Sequence, residues 1–376
     1  MARPEVRPEP VVREGVCYAL FAYDAGLAID LDESERRITA MKQRASIRHK
    51  HRAPKYFNYR PPPLRVTQEG TPITLGSFRT TPYVDAVLYD FGAVSVTYQI
   101  PLQGPLTRLV SLSEELYESD ALSADSRRWV ERLLAVIAPA VTRAELADFV
   151  ETYVIFEIAA LAPPCPPSDL YTSYAREVAQ ILRAERAVPS DQEVSDALGH
   201  RISFSAEDVT FIDWDAALIV DRDAEDVRAV LEFANVELLE MRFLDQRLDD
   251  ALDESYETLS RRHYALRQLP GSARATLRRV GQLQVENAVL FEGVNNALKL
   301  LGDQYLARVY RLVSERFHLA EWDASILRKI QTLESIYQKL ADQAANRRTE
   351  VLEWIVIVLI AAEIAIPFLP RLARLW

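Results

Sequence analysis

Two pairs of acids stand close enough along the chain to share a cation or a proton: Asp213 with Asp215, and Asp249 with Asp250. Hard cations take carboxylate oxygens. Asp213 and Asp215, however, flank a predicted turn, where aspartate is favoured because it hydrogen-bonds its own backbone, and the turn is the better account of them. His49, His51, His200, His263 and His318 show no ligand spacing beyond the first two, whose setting is basic and repels a cation. Cys17 and Cys165 lie far apart and form no C-x-x-C pattern, so neither a zinc site nor a disulfide framework is implied; both read as packing residues. No glycine-rich phosphate loop and no G-x-S-x-G turn occurs. The sequence therefore assigns no catalytic residue, no metal ligand, no cofactor and no small-molecule substrate, and the expectation is a protein that is not an enzyme.

One charged feature runs against the overall balance of 44 Lys+Arg to 55 Asp+Glu and the net charge of −11. Between Arg36 and Tyr59 the basic residues Arg44, Arg48, Lys50, Arg52 and Lys55 are followed by Tyr56, Phe57 and Tyr59. Such a stretch can hold RNA phosphates while a ring stacks on a base, or meet anionic headgroups; a solvated helix end is the plainer explanation. Net acidity disfavours nucleic-acid binding by the chain as a whole.

The C-terminal run WIVIVLIAAEIAIPFL, Trp354 to Leu369, is apolar and bracketed by Arg347 and Arg348 before it and Arg371 and Arg374 after it. With Trp354 and Trp376 at headgroup level it reads as a membrane anchor, a single transmembrane helix. Glu363 is costly inside such a run and argues for anchors packed side by side. The competing reading is a helix buried in a core, which Glu353 and Glu363 favour.

The elements that must position these residues follow from periodicity. After a start without an apolar stretch, expected to be a disordered arm over residues 1–15, VCYALFAY predicts a strand and LDESERRITAMKQRA a helix. YVDAVLYDFGAVSVTYQI predicts a hairpin turning at Asp90 to Gly92, and a helix follows from Ser113 to Ile137. The order recurs with ETYVIFEIA, a helix from Leu170 to Arg186, and ISFSAEDVTFIDWDAALIVD. The expected fold is α+β: duplicated ferredoxin-like βαββα units over 16–145 and 146–223, then a helical hairpin or coiled-coil stalk over 224–350, then the anchor over 351–376. The cleanest seam is Ile326, Ile330, Leu333, Tyr337 and Leu340, expected to join copies of the chain.

The segment from Leu301 to Ile364, most specifically LEWIVIVLIAAEI from Leu352, resembles the C-terminal half of the DUF155 (Rmd1–RMND1) family, and VLYDFGAVSVTYQI resembles the strand pair opening that family's shared region. The resemblance implies a membrane-anchored protein whose mitochondrial relatives lie at the inner membrane and support organelle translation; it carries no catalytic motif. The functional expectation is a non-enzymatic, membrane-anchored, homo-oligomeric scaffold, single-pass with its bulk in the cytoplasm, its partners lipid and other copies of itself. The alternative is a ribosome or RNA tether acting through the basic segment 36–60.

Overall fold

The computed structural model describes residues 9–42, 62–117, 119–262 and 304–365. Strand β1 (Val11–Asp24) is followed by β2 (Ala28–Ile29), helix α1 (Leu31–Lys42), β3 (Leu64–Glu69), β4 (Thr74–Leu75), β5 (Phe78–Arg79), β6 (Tyr83–Leu88), β7 (Ala93–Pro101) and β8 (Gly104–Pro105). Helices α2 (Arg108–Tyr117) and α3 (Asp120–Ile137) lead to β9 (Val141–Thr142) and β10 (Glu151–Ala162). Then come α4 (Pro167–Leu170), α5 (Ala175–Arg183), α6 (Asp191–Ala197), β11 (Arg201–Ile202), β12 (Val209–Ile212), β13 (Ala216–Val220), and the helices α7 (Glu225–Arg262), α8 (Gln304–Arg316) and α9 (Leu319–Ala365).

Local signals behave as their chemistry requires. Asp30 caps α1, its Oδ1 accepting from the Glu33 amide at 2.9 Å. The β6–β7 turn needs glycine at position 92: its φ is +108°, and a Cβ there would lie 1.8 Å from the Gly26 carbonyl oxygen. Strand β1 already begins at Val11, inside the stretch expected to be a disordered arm.

The expected duplication is not what the chain forms. Nine strands make one mixed sheet, ordered β11-β12-β13-β10-β1-β7-β6-β3 with β8 beside the start of β1. β1 runs antiparallel to β7, Phe21 opposite Val96. Its supposed counterpart β10 instead runs parallel to β13, Phe156 opposite Leu218. Only the second half keeps a ferredoxin-like strand arrangement, and β1 occupies the place of its fourth strand. The physical reason lies in β1 and β10 themselves. Both carry buried side chains on both faces along their middles, so each needs neighbours on both edges and cover on both sides, and they supply one edge to each other with Cys17 opposite Phe156.

Helices α2, α3 and α5 cover one face, over a core that includes Phe21, Tyr23, Val96, Tyr98, Phe156 and Leu218. Tyr23 and Ser126 share a 2.6 Å hydroxyl bond, and Ser113 on α2 donates to the Ile181 carbonyl of α5 at 2.6 Å. The other face takes the first half of α7, where Leu231, Phe233, Ala234, Leu238 and Leu239 are all buried. The chain divides into two compact units, Met1–Phe243 with Ala288–Asp323, and Leu244–Asn287 with Ala324–Trp376. Thus α7, expected to be stalk throughout, gives its residues up to Phe243 to the unit that contains the sheet.

The C-terminal transmembrane helix is overturned. Among the described residues no helix is long and apolar enough to cross a membrane. Between Glu353 and Glu363 the uninterrupted apolar stretch is Trp354 to Ala362, about 14 Å of helix at 1.5 Å per residue, against roughly 30 Å of hydrocarbon. The single-pass, tail-anchored membrane localisation expected from the sequence falls with it.

Candidate functional site

The densest gathering of charge lies at the β12–β13 turn. Asp213 is 0% exposed. Its carboxylate accepts from Arg183 Nε at 2.6 Å, from Arg316 Nε at 2.8 Å and from the Trp214 backbone amide at 2.9 Å. Asp196 on α6 takes a second N–H from each arginine, at 2.5 and 2.9 Å, and Glu193 takes Arg183 Nη1 at 2.9 Å. Four elements meet here, because α5 ends in Arg183, α6 carries Asp196, α8 ends in Arg316 and the turn supplies Asp213. Hydrogen bonds from Arg316 hold the Asp196 carboxyl below its usual range, while burial and the Arg316 charge hold His200 below its own. Trp214 stacks on Phe317, and Tyr153 donates to the Asp213 carbonyl at 3.0 Å.

Asp215, the other member of the predicted acid pair, has its carboxyl raised by burial and by Asp213. Asp213 is already committed to two guanidinium groups, and the charge it would give a metal is spent.

A second polar cluster sits where α7 begins to cover the sheet. Glu232 accepts from Ser95 Oγ at 2.9 Å and from Arg65 at 3.3 Å. Asp85 accepts from Gln99 at 2.8 Å and from the Thr67 hydroxyl. Arg228 lies 4.1 Å over the Tyr18 ring and pairs with Glu157 at 2.7 Å. Tyr18, Arg65, Asp85, Gln99, Arg228 and Glu232 border a pocket of about 260 Å³. Further along α7, Arg242 pairs with Glu151 at 2.7 Å, where burial pushes the carboxyl up to about 7 against the pull of the guanidinium. Glu237, buried on the same helix, accepts from Tyr310 of α8 at 2.6 Å and is likewise pushed up to about 7 by burial.

The residues expected to carry function separate into three groups. Arg44, Arg48, Lys50, Arg52 and Lys55 lie outside the described residues, as do Arg371, Arg374 and Trp376; of the Glu363, Tyr337 and Leu340 side chains nothing is described. Ile326, Ile330 and Leu333 are buried within the chain's own second unit. Lys329, between them, reaches Asp245 at 2.8 Å and Asp249 at 2.6 Å on α7. Trp354 is exposed, and so are its apolar neighbours: Leu352 and the run Trp354 to Ile360 are 49–66% exposed. Sequence reasoning missed Arg183, Asp196 and Arg316. Nothing local marks them: each is an ordinary helix residue on a different helix, and the contacts that gather them span 13 to 120 positions.

Fold and site together define an α+β protein with one central mixed sheet, ionic clusters that tie its helices down, and a long terminal helix with an exposed apolar stretch. Residues 14–226, more than half of the chain, match the family described as Uncharacterized protein MJ0711, N-terminal domain, and the chain belongs to that family. The match begins in β1 and ends in the first turn of α7. Over 223 residues the chain is 23% identical to the Uncharacterized protein MJ0711 of Methanocaldococcus jannaschii, an alignment covering 57% of this chain and 65% of that protein. It therefore spans less than two thirds of that relative's length. No solved structure matches.

Proposed function

We propose that the chain is a non-enzymatic scaffold of the DUF155 (Rmd1) type that assembles copies of itself through the apolar stretch of α9. One observation carries the reading: eight large apolar side chains, Leu352 and Trp354 to Ile360, are each about half exposed. Contiguous apolar surface of that kind marks an interaction site. Because consecutive residues are apolar, every face of this helical stretch is apolar, so one neighbour leaves the rest wet and the preferred arrangement is a bundle. The buried part of the seam, Ile326 to Leu333, is used inside the chain and orients α9; the exposed part recruits the other copies. The described acids suit a framework role, since Asp213, Glu232, Glu157 and Glu151 are each spent on arginines.

Sedimentation equilibrium of the full chain, beside Val356→Glu/Leu359→Glu, tests this. The unmodified chain should sediment as an oligomer and the double variant as a monomer with an unchanged circular dichroism spectrum. A monomeric unmodified chain, or a variant of unchanged mass, overturns the reading.

A further inference from the structure

A groove of about 650 Å³ runs between the β3–β4 connection and the outer face of α3. Ile73, Val84, Ala121 and Ala124 give it an apolar lining. Trp129 lines it too; the residue is 4% exposed, and its indole Nε1–H has no acceptor in the protein. Native interiors satisfy the great majority of such donors, and a donor left over beside a cavity calls for an acceptor from outside. An indole N–H only donates, so the missing group is a hydrogen-bond acceptor.

Charge at the groove narrows the class. Arg128 is held by Asp125 at 3.0 Å, and Asp125 also accepts from Tyr98 at 2.8 Å, so that acid is committed. Arg132, one helical turn beyond Arg128 and exposed, has no carboxylate partner among the described residues. One cation and one neutral donor are therefore available together on α3. Glu69 lines the same groove, and its like charge opposes a doubly charged anion such as phosphate more than a singly charged one. We propose that this groove binds a small monoanionic carboxylate with a flat apolar body: its oxygens take the Trp129 N–H and the Arg132 guanidinium, and its body lies over the alanines of α3. The site is independent of the assembly proposed above and lies wholly in the unit that contains the sheet.

The test follows the indole ¹⁵N–H resonances of the full chain while benzoate or indole-3-acetate is added, with benzamide and inorganic phosphate as comparators. Trp129→Phe assigns the Trp129 signal by its disappearance. The expected result is a saturable displacement of that signal by the two carboxylates, weakened about tenfold or more in Arg132→Gln, the loss expected for one charge-assisted hydrogen bond. Arg132 is exposed, so this variant keeps the fold. No saturable displacement, an equal response to benzamide or to phosphate, or an unchanged affinity in Arg132→Gln overturns the proposal.

Discussion

Asp213→Asn removes one negative charge from the ionic cluster at the β12–β13 turn and almost no volume. In the native protein two guanidinium groups converge on this carboxylate, and one of them, Arg316, is itself only 8% exposed. Without the charge, Arg183 and Arg316 face each other across a neutral amide and must share Asp196, which is half-exposed. Removing one member of a buried ion pair costs about 3–5 kcal/mol, because the remaining charge stays buried without compensation. Here the lower end applies, since Arg183 is a third exposed and can turn toward water. About 3 kcal/mol corresponds to a fall in melting temperature of roughly 6 °C or more for a domain of this size. Calorimetry of the two proteins at matched concentration, with urea unfolding followed by circular dichroism, measures it. Asp213→Asn/Arg316→Met should lose less than the sum of the single variants, because the second change removes the stranded charge. If Asp213→Asn melts within the ±0.5 kcal/mol of an ordinary surface change, the cluster does not hold α8 to the sheet and the reasoning fails.

Other outcomes follow from the same geometry. Glu237 is pushed up to about 7 by burial, so the folded state favours its neutral form; the stability this gives is complete below about pH 4.5 and is lost as pH rises through about 7. Glu237→Gln should therefore flatten the fall in urea midpoint across that window and stabilise the protein above it, Glu151 accounting for slope that remains; a variant less stable than the parent above pH 7 contradicts this. Gly92→Ala should destabilise by about 1–3 kcal/mol or more through a strained backbone and a collision with the Gly26 carbonyl, and a neutral melt would show that the turn yields. If the basic segment contacts RNA, as its residues alone suggest, reversing the charges of Arg48, Lys50 and Arg52 should abolish salt-sensitive copurification of ribosomal RNA; undiminished copurification removes that contact.

Much of the element list was legible because its causes are local. Asp30 before an acidic-to-basic run announces the start of α1, Asp90 to Gly92 between two apolar alternations announces a hairpin, and Val227, Leu231, Ala234 and Leu238 at four-three spacing announce α7. The C-terminal run shows where this reasoning ends: its side chains announce an apolar surface, but Glu353 and Glu363 leave too short an apolar stretch to cross lipid. What local pattern could not reveal was partnership. A strand such as VCYALFAY states that it will be covered on both sides without stating by what, so its sequence does not reveal that β10, expected in a separate unit, pairs with it on the edge opposite β7.

The amino-acid sequence by itself determined the turns at Asp90 to Gly92 and at Asp213 to Asp215, most of the helices and the apolar character of the C-terminal run, since each depends on residues within a few positions of one another. The tertiary structure alone decided that β10 pairs with β1 on one edge and β13 on the other. It alone brought Arg183, Asp196, Asp213 and Arg316 to one point, and left the Trp129 indole beside an open groove. Those outcomes depend on which distant surfaces close together once the chain is compact, and a short window of sequence does not hold that information.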